Sequence, residues 1–225
     1  MGRLFAISDI HGCYETFQRL VIEHIGLTKS DRLILLGDYI DRGEKSREVI
    51  DFIMDLMNMN FDITSLSGNH EVMLLDSWKN PDMLPLWLLN DGMSTMQSFG
   101  IQNINHIEKK YIDFFLNLNY FEKEGNFLFV HAGFNDFAPD PFSDKHGMLW
   151  ECRSYYDNPE LRDKIIIHGH RPKRVETIEK LIRENSKVIA IDSGCVYEKE
   201  VGYGYLSALD VGNMKLFSVE NHEYF

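Results

Sequence analysis

Short apolar runs alternate with amphipathic stretches along the chain, and this pattern predicts its secondary structure. Runs rich in Ile, Leu, Val and Phe are typical of buried strands. Six such runs predict strands at 4–8, 32–36, 62–66, 127–130, 164–168 and 187–191. Two more, 205–211 and 214–219, predict a closing hairpin, because Gly212 and Asn213 between them are typical of a tight turn.

Amphipathic periodicity predicts helices between these strands. The predicted helices are 14–25, 46–57, 71–77, 81–99 and 106–118. The helices beyond residue 77 form a helical insertion at about 78–118, ahead of strand 127–130. Strands and helices alternate early and strands dominate later. We therefore expect a single domain over residues 1–225, with helices packed outside a two-sheet core.

Polar residues and glycine follow five of the predicted strands. The clusters are SDIHG (8–12), GDYIDRG (37–43), SGNHE (67–71), HAG (131–133) and HGH (168–170). Taken alone, a carboxylate such as Asp9 or Asp38 is explained equally well as a helix cap. Ligands of open α/β sheets, however, bind at the carboxyl ends of strands, and neighbouring strands bring their ends together. The five clusters therefore predict one shared polar site.

The donor atoms of these clusters suit a metal. Five of the nine histidines lie in them: His11, His70, His131, His168 and His170. Imidazole mixed with carboxylate and amide oxygen suits Mn, Fe or Zn, whereas an all-oxygen set suits Mg or Ca. Asp9 and His11 stand two residues apart on an extended segment, so both can bind one ion. Asp38 on the next strand is placed to bridge two ions. The residues able to complete the second ion's shell are Asn69, His131 and His170.

The order of these motifs resembles a known family. DIHG, GDYIDRG, GNHE, HAG and GH followed by proline are similar to the phosphoprotein-phosphatase branch of the metallophosphoesterases, and most of all to small bacterial and phage serine/threonine phosphatases such as that of bacteriophage lambda. The likeness runs from 4–8 to 191–197, and WLLNDGMSTMQSFG (87–100) also resembles bacterial members. It implies an α+β fold, a four-layer α/β/β/α sandwich with mixed sheets.

The resemblance also implies a dinuclear metal centre. It makes Asp9 and His11 ligands of the first ion and Asp38 the bridge. The ligands implied for the second ion are Asn69, His131 and His170. We expect Mn foremost, with Fe, Zn, Co or Ni as alternatives, because this ligand set tolerates all of them.

Catalytic roles follow from the same resemblance. It makes His70 the general acid, paired with Asp41, and it makes Arg42 and Asn69 the groups that hold the phosphate. A hydroxide shared by two ions would attack phosphorus in line. A histidine that protonates the leaving oxygen typically contributes about 10²–10⁴-fold.

Three positions depart from the family pattern. Ser67 stands where many relatives have arginine. Arg153 follows Trp150 by three residues rather than two, and we assign it to phosphate binding. Arg171, in GHRP, either replaces the missing arginine or points to solvent, and we favour solvent. We expect His168 to support the ligands rather than to bind metal.

The leading functional hypothesis is a phosphomonoesterase acting on phosphoserine or phosphothreonine, with phosphotyrosine as a further substrate. The alternative is a dinucleoside-polyphosphate hydrolase such as a diadenosine tetraphosphatase, since the same motifs serve both. The DRG at 41–43 favours the first. A catalytically inactive binding module is disfavoured because every implied ligand position is filled.

Composition narrows the partners. The chain has 23 basic and 35 acidic residues, a formal charge of −12, so we expect it to bind neither nucleic acid nor an anionic membrane. A phosphorylated protein, peptide or small ester remains suitable as a substrate, because the positive charge of bound metal outweighs the negative charge of the protein at the site. Three widely spaced cysteines, and no apolar run of about 20 residues, favour a cytoplasmic protein. The sequence does not indicate an oligomeric state.

Overall fold

The computed structural model describes residues 2–223, so Met1, Tyr224 and Phe225 of the predicted domain lie outside the described residues. The strands are β1 (Leu4–Ile7), β2 (Arg32–Leu35), β3 (Asp62–Ser65), β4 (Phe121–Glu124), β5 (Phe127–Val130), β6 (Ile165–His168), β7 (Val188–Ala190), β8 (Tyr205–Asp210) and β9 (Lys215–Glu220). The α-helices are α1 (Tyr14–Arg19), α2 (Ser46–Asn58), α3 (Asn69–Lys79), α4 (Leu84–Leu89), α5 (Gly92–Ser98), α6 (Lys109–Leu116), α7 (Lys145–Trp150) and α8 (Val175–Arg183). Within residues 2–223, none of the helices has the length and apolar character needed to cross a membrane.

Two mixed sheets form the centre of the fold. One has the strand order β3-β2-β1-β8-β9, and the other has the order β4-β5-β6-β7. Strands β1, β2 and β3 are parallel, as are β5, β6 and β7, whereas β4, β8 and β9 join antiparallel. All eight predicted strands are present to within one residue at each end, and β4 is additional. The predicted α+β sandwich is confirmed.

The core consists of three apolar layers. Between the sheets, fully buried residues such as Ile34 of β2 and Ile167 of β6 form one cluster. On the outer face of the first sheet, Phe5 and Leu33 pack with the helices of the first half of the chain. Beneath the segment 131–163, Leu128, Ile166 and their neighbours form a third cluster. Apolar residues on both faces of each sheet account for the four-layer arrangement.

The helices differ from their predictions at specific points. The predicted helix 14–25 is α1 followed by a π-helical turn, Leu20–His24. The predicted helix 81–99 is divided into a 3₁₀ turn (Pro81–Met83), α4 and α5, because Asp91 adopts a left-handed backbone with φ of 67°. A 3₁₀ turn (Ile104–His106) likewise precedes α6. Helices α7 and α8 were not predicted.

Candidate active site

The polar clusters meet at one end of the sandwich. In the register of β1 and β2, Ile7 lies opposite Leu35, so Asp9 and Asp38 leave neighbouring strands close together. In the second sheet, Val130 of β5 lies opposite His168 of β6. His131 and His170, which follow these two strands, therefore lie at the same end. Parallel pairing therefore makes neighbours of residues far apart in sequence.

Asp38 lies at the centre of this site. Its Oδ2 is 3.6 Å from Nε2 of His11 and 3.4 Å from Nε2 of His131. Two groups of candidate ligands share it, one with His11 and His70 and one with His131 and His170, and the ligand atoms of each group lie within 4.8 Å of one another. Only 2% of Asp38 is exposed. A carboxylate common to both groups is the arrangement expected of a bridging ligand.

Two of the imidazoles are held by backbone carbonyls. The Nδ1 atoms of His11 and His131 lie 2.8 Å from the oxygen of Ile40 and 2.9 Å from that of Leu36. Each Nδ1–H thus donates to a carbonyl, which leaves the Nε2 lone pair facing the centre. Burial holds the pKa values of both rings below the usual range, so both are neutral. Neutral, oriented imidazoles are the form that binds metal.

Asn69 and His170 complete the second group. The Oδ1 atom of Asn69 lies 2.9 Å from Nε2 of His131 and 3.1 Å from Nδ1 of His170. Burial lowers the pKa of His170 to about 3. An amide oxygen and two neutral imidazole nitrogens converge here on the Asp38 carboxylate.

Asp9 lies beside the two groups rather than within either. Both of its oxygens accept the backbone N–H of His170 at 3.0 Å. Burial, together with the nearby carboxylates of Asp192 and Asp38, raises the pKa of Asp9 well above its usual value. Buried beside Asp38, the carboxyl groups of Asp9 and Asp192 disfavour ionisation unless positive charge is added. Mixed carboxylate, imidazole and amide donors with this excess of negative charge fit divalent metal ions.

His70 and Asp41 form a buried pair next to this centre. Nδ1 of His70 lies 2.7 Å from Oδ2 of Asp41, and both side chains are almost fully buried. Burial raises the pKa of Asp41, and it lowers that of His70, but the carboxylates of Asp38 and Asp41 outweigh it and raise the pKa of His70 overall. Nε2 of His70 is 3.9 Å from Oδ2 of Asp38, so this nitrogen faces the centre.

Two residues of the helical segment 78–118 support Asp41, and sequence reasoning assigned neither. Trp87 of α4 and Thr95 of α5 both donate to its carboxylate, at 2.8 and 2.6 Å. Thr95 Oγ1 also accepts the backbone N–H of Asp41 at 2.8 Å. The signal for them was the similarity of residues 87–100 to bacterial relatives, which did not indicate a role.

Glu71 does more than place a charge at a helix start. Its carboxylate accepts three backbone N–H groups, those of Asp38 at 2.9 Å, Tyr39 at 2.8 Å and Gly68 at 2.8 Å. Burial raises its pKa to about 7. Glu71 thereby ties the residues after β2 to the turn before α3, which fixes Asp38 relative to Asn69.

The backbone of the site is strained. Nine non-glycine residues in the described range 2–223 have positive φ, and five of them lie here: His11, Asp38, Asp41, Arg42 and His170. Each such residue costs on the order of 1 kcal/mol or more, and clusters of them are typical of functional sites. Two glycines are also required by space, because a Cβ on Gly68 would lie 2.1 Å from Oδ1 of Asp38, and one on Gly169 would lie 2.0 Å from Oδ1 of Asp9.

The predicted phosphate-binding arginines lie in different settings. Arg42 places a guanidinium nitrogen against Nε2 of His11 and lies 5.7 Å from the ring centre of Tyr197. Arg153 contacts Oε2 of Glu151 at 3.4 Å and lies 4.8 Å from the ring centre of Phe137. Arg42 thus reaches the metal-ligand groups, whereas Arg153 has an acidic partner.

The next three residues are those whose roles the family pattern left open, and the structure shows what surrounds each of them. Ser67 is buried, and its N–H donates to the oxygen of Asn119 at 2.7 Å. Arg171 is exposed, in agreement with the solvent orientation favoured from sequence. His168 is buried outside both ligand groups, with Nδ1 3.0 Å from the oxygen of Gly169. None of these three side chains joins the groups around Asp38 in residues 2–223.

Comparison with known proteins gives a family match over most of the chain. The model of the calcineurin-like phosphoesterases matches residues 2–199. A symmetrical bis(5'-nucleosyl)-tetraphosphatase of Nitrosospira multiformis is 29% identical over 92% of this chain and 76% of its own length. Serine/threonine-protein phosphatase 2 of Escherichia coli is 36% identical over 40% of this chain and 38% of its own length.

The fold is shared with a solved phosphatase. A protein serine/threonine phosphatase from Saccharomyces cerevisiae superimposes with a TM-score of 0.67 at 15% identity, covering 100% of this chain and 81% of that one.

Several curated relatives match only over a short stretch. The matched region covers 28%, 25% and 38% of the length of three of them. The family and the fold of this chain are therefore established, whereas the names of its relatives refer to different substrates.

Proposed function

We propose that this chain, which belongs to the calcineurin-like phosphoesterase family, is a dinuclear-metal phosphomonoesterase whose substrates are phosphoserine and phosphothreonine, and phosphotyrosine as a further class. The observation that carries the proposal is the position of Asp38, whose Oδ2 lies 3.6 Å from Nε2 of His11, 3.4 Å from Nε2 of His131 and 3.9 Å from Nε2 of the buried His70. Metal ligation and proton delivery would then occur at one point.

The proposed ligands divide into two sets that share Asp38. Asp9 and His11 would hold the first ion. The ligands proposed for the second ion are Asn69, His131 and His170. Mn is the first candidate, with Fe, Zn, Co or Ni as alternatives, because imidazole and carboxylate donors accept each of them. Once bound, the ions would neutralise the buried carboxylates and activate water for in-line attack on phosphorus.

His70 would donate the proton that the leaving oxygen needs. In its charged form Nδ1–H donates to Asp41, and Nε2–H faces the centre. The raised pKa of His70 supports this charged form. Asp41 keeps the ring in one orientation, so that the proton is held at Nε2.

Arg42 and Asn69 would orient the phosphate. Arg42 lies more than 4.0 Å from every carboxylate of residues 2–223, so the guanidinium nitrogens that do not contact His11 are available for phosphate oxygens. A planar guanidinium binds phosphate through two parallel hydrogen bonds. Arg153 is proposed as a further, more distant contact, weakened by its partner Glu151.

A second candidate function is hydrolysis of dinucleoside polyphosphates. It is supported by the tetraphosphatase of Nitrosospira multiformis, which aligns with 92% of this chain. In-line attack and proton delivery would be the same in both functions, so the two differ only in what is attached to the reacting phosphate.

A substrate panel with the Mn-loaded protein tests the proposal. Phosphoserine, phosphothreonine and phosphotyrosine peptides, p-nitrophenyl phosphate and diadenosine tetraphosphate are compared by kcat/KM. We expect the phosphopeptides to be turned over at least as fast as diadenosine tetraphosphate. Much faster turnover of the dinucleotide would establish the second candidate instead, and no turnover of any phosphate ester would reject both.

A further inference from the structure

Asp192 is a buried carboxylate that lies beside the candidate metal centre and belongs to neither proposed ligand set. It follows β7 by two residues, as His170 follows β6, and in the register of these parallel strands His168 lies opposite Ala190. Asp192 and His170 therefore leave neighbouring strands at the same end of the sheet. The backbone N–H of His170 donates to both oxygens of Asp9 at 3.0 Å. After burial, the charge of Asp192 is the largest cause of the raised pKa of Asp9.

The carboxylate of Asp192 has few partners for a buried group. Only 2% of the residue is exposed, and Oδ1 accepts the backbone N–H of Gly194 at 2.8 Å. Within residues 2–223 this is the one hydrogen bond of its side chain, and no lysine, arginine or histidine nitrogen lies within 4.0 Å of it. Buried Asp31, by contrast, accepts from both Arg3 and Thr28. Because a buried charge without a partner is costly, the surroundings of Asp192 favour a bound cation.

The charges around Asp192 leave an excess of negative charge. Its acidic neighbours Asp9 and Asp38 are both almost fully buried. Two cations, Arg42 and Lys173, act on Asp192 from more than 4.0 Å away, but burial prevails and raises its pKa to about 7. A divalent ion bound by Asp9 and Asp38 would relieve the repulsion among all three carboxylates.

We propose that Asp192 is a further residue of the metal centre, whose negative charge strengthens binding of the first ion, the one assigned to Asp9 and His11. The inference rests on the proposed function, since it concerns the same dinuclear centre. Because its Oδ1 accepts from Gly194, Asp192 has a positioning role, exerted through its charge, rather than a place in the ligand set. It is the third carboxylate that the centre presents to its two ions.

An alternative explanation is that Asp192 only shapes the turn after β7. A side-chain oxygen that accepts the N–H two residues later forms an Asx turn, which both Asp and Asn make. Asp192→Asn therefore keeps an oxygen for Gly194 and removes the charge, whereas Asp192→Ala removes both. If the turn were its whole role, the asparagine variant would bind metal as the wild type does.

Calorimetric titration of the metal-free protein with Mn measures the affinity of each ion. In Asp192→Asn we expect one ion to bind at least tenfold more weakly, a loss of about 1.4 kcal/mol, while the stoichiometry stays at two. In a His131→Gln background, which removes a proposed ligand of the second ion alone, the remaining ion should show the same loss.

Asp210→Asn is the matched control for this titration. Asp210 is also buried, but its carboxylate accepts two hydrogen bonds from Asn213 and it lies at the opposite end of the sheet, paired with Phe5. Its Mn affinities should stay within twofold of those of the wild type. A tenfold loss in this control as well would mean that any buried Asp→Asn change weakens the centre, and would contradict a specific role for Asp192.

The stability of the metal-free variants separates a role in metal binding from a structural one. At pH 8, above its pKa of about 7, the carboxylate of Asp192 is charged in the fold and is repelled by Asp9 and Asp38. Removing that charge relieves the repulsion, so the urea midpoint of metal-free Asp192→Asn should equal or exceed that of the wild type. A variant that binds Mn more weakly without losing stability has lost a contribution to the ion rather than to the fold.

Three results would overturn the inference about Asp192. They are wild-type Mn affinities in Asp192→Asn, a loss of affinity that accompanies a lower urea midpoint in the metal-free variant, and an unchanged affinity in the His131→Gln background. Each leaves the proposed function standing, because the wild type still binds two ions. A wild-type protein that binds neither Mn nor Zn would instead reject the proposed function together with the role of Asp192.

Discussion

The indole Nε1 of Trp87 donates a hydrogen bond of 2.8 Å to Oδ2 of Asp41, the same oxygen that lies 2.7 Å from Nδ1 of His70. Thr95 donates to the other oxygen of this carboxylate. Trp87 is fully buried, so its N–H has no water as an alternative partner. Through these two residues, the helical segment 78–118 holds the carboxylate of Asp41, which in turn orients the candidate acid His70.

Trp87→Phe should reduce turnover of substrates with poor leaving groups about tenfold, because a hydrogen bond to a charged group contributes about 1.5–3 kcal/mol and only part of it is expressed through His70. Turnover of p-nitrophenyl phosphate should change much less, since its leaving group needs little protonation. Parallel kcat measurements on phenyl phosphate and p-nitrophenyl phosphate give the comparison.

Trp78→Phe serves as the control for this variant. Trp78 is only half-buried at the end of α3 and packs against the same core. Both variants lose part of an apolar contact, but only Trp87→Phe loses the contact to Asp41. A similar loss on poor leaving groups in both would mean that Trp87 contributes packing alone.

Thr95→Val should produce the same leaving-group dependence as Trp87→Phe. It removes the donor to Oδ1 of Asp41 and the acceptor for its backbone N–H, while nearly preserving volume. Thr95→Ser retains the hydroxyl and should restore most of the activity on phenyl phosphate. Failure of serine to restore it would assign the effect to the lost methyl contacts.

His70→Asn should lower kcat for phenyl phosphate or a phosphoserine peptide by about 10²–10⁴-fold, the usual contribution of a general acid. The loss on p-nitrophenyl phosphate should be far smaller. Metal content, measured on the same sample, should remain as in the wild type. A uniform loss over a series of leaving groups would argue against His70 as the proton donor.

Asp38→Asn should remove bound metal as well as activity, because both proposed ligand sets depend on its carboxylate. Elemental analysis after dialysis measures the stoichiometry. Asp210→Asn is a suitable control, since Asp210 is also buried but lies at the opposite end of the sheet, paired with Phe5. An Asp38→Asn protein that retains two ions would contradict the bridging role.

A stability prediction concerns Asp31, before β2. Its carboxylate accepts from Arg3 Nη2 at 2.6 Å and from Thr28 Oγ1 at 2.8 Å, and the hydrogen bonds of Arg3 hold its pKa below the usual range. The ionised group therefore stabilises the fold above the unfolded pKa of about 4, and this contribution is lost as pH falls through the lower folded pKa.

Asp31→Asn should lower the free energy of unfolding by about 2–3 kcal/mol at pH 7, with a difference that shrinks progressively as pH falls below about 4. Urea denaturation over this pH range measures it. Asp62→Asn is the control, because Asp62 is exposed and its ion pair with Arg32 is long, at 4.0 Å. This substitution should change the free energy of unfolding by less than about 0.5 kcal/mol. An equal effect at all pH values would contradict the ion-pair account.

The local sequence pattern was sufficient to predict the strands and the half of the site that contains Asp9 and Asp38. Buried strands need continuous apolar runs, and those runs are present in β1 and β2. Parallel pairing then places the residues after each strand side by side, which is why Asp9 and Asp38 could be predicted as neighbours. The contribution of His131 depends on how the second sheet faces the first. Sequence order alone does not specify that packing, so the residues themselves indicated only that His131 could complete the second shell, and the family resemblance assigned it there.

The supporting residues were beyond the reach of local pattern. Trp87 has the spacing of a core residue, and only the fold reveals that its N–H meets Asp41, 46 residues away. The role of Glu71 was not predicted, because its partners Asp38 and Tyr39 belong to another segment. Strand β4, FEKE, has no apolar run and forms only as the antiparallel edge of a sheet.

The central claim is that two divalent ions bound around Asp38 are required for hydrolysis. Titrating metal-free protein with Mn, while measuring bound Mn and p-nitrophenyl phosphate hydrolysis, tests it most directly. Activity should be absent without metal and should reach its plateau at two equivalents per chain. Full activity in the metal-free protein, or a plateau at one equivalent, would contradict the dinuclear centre.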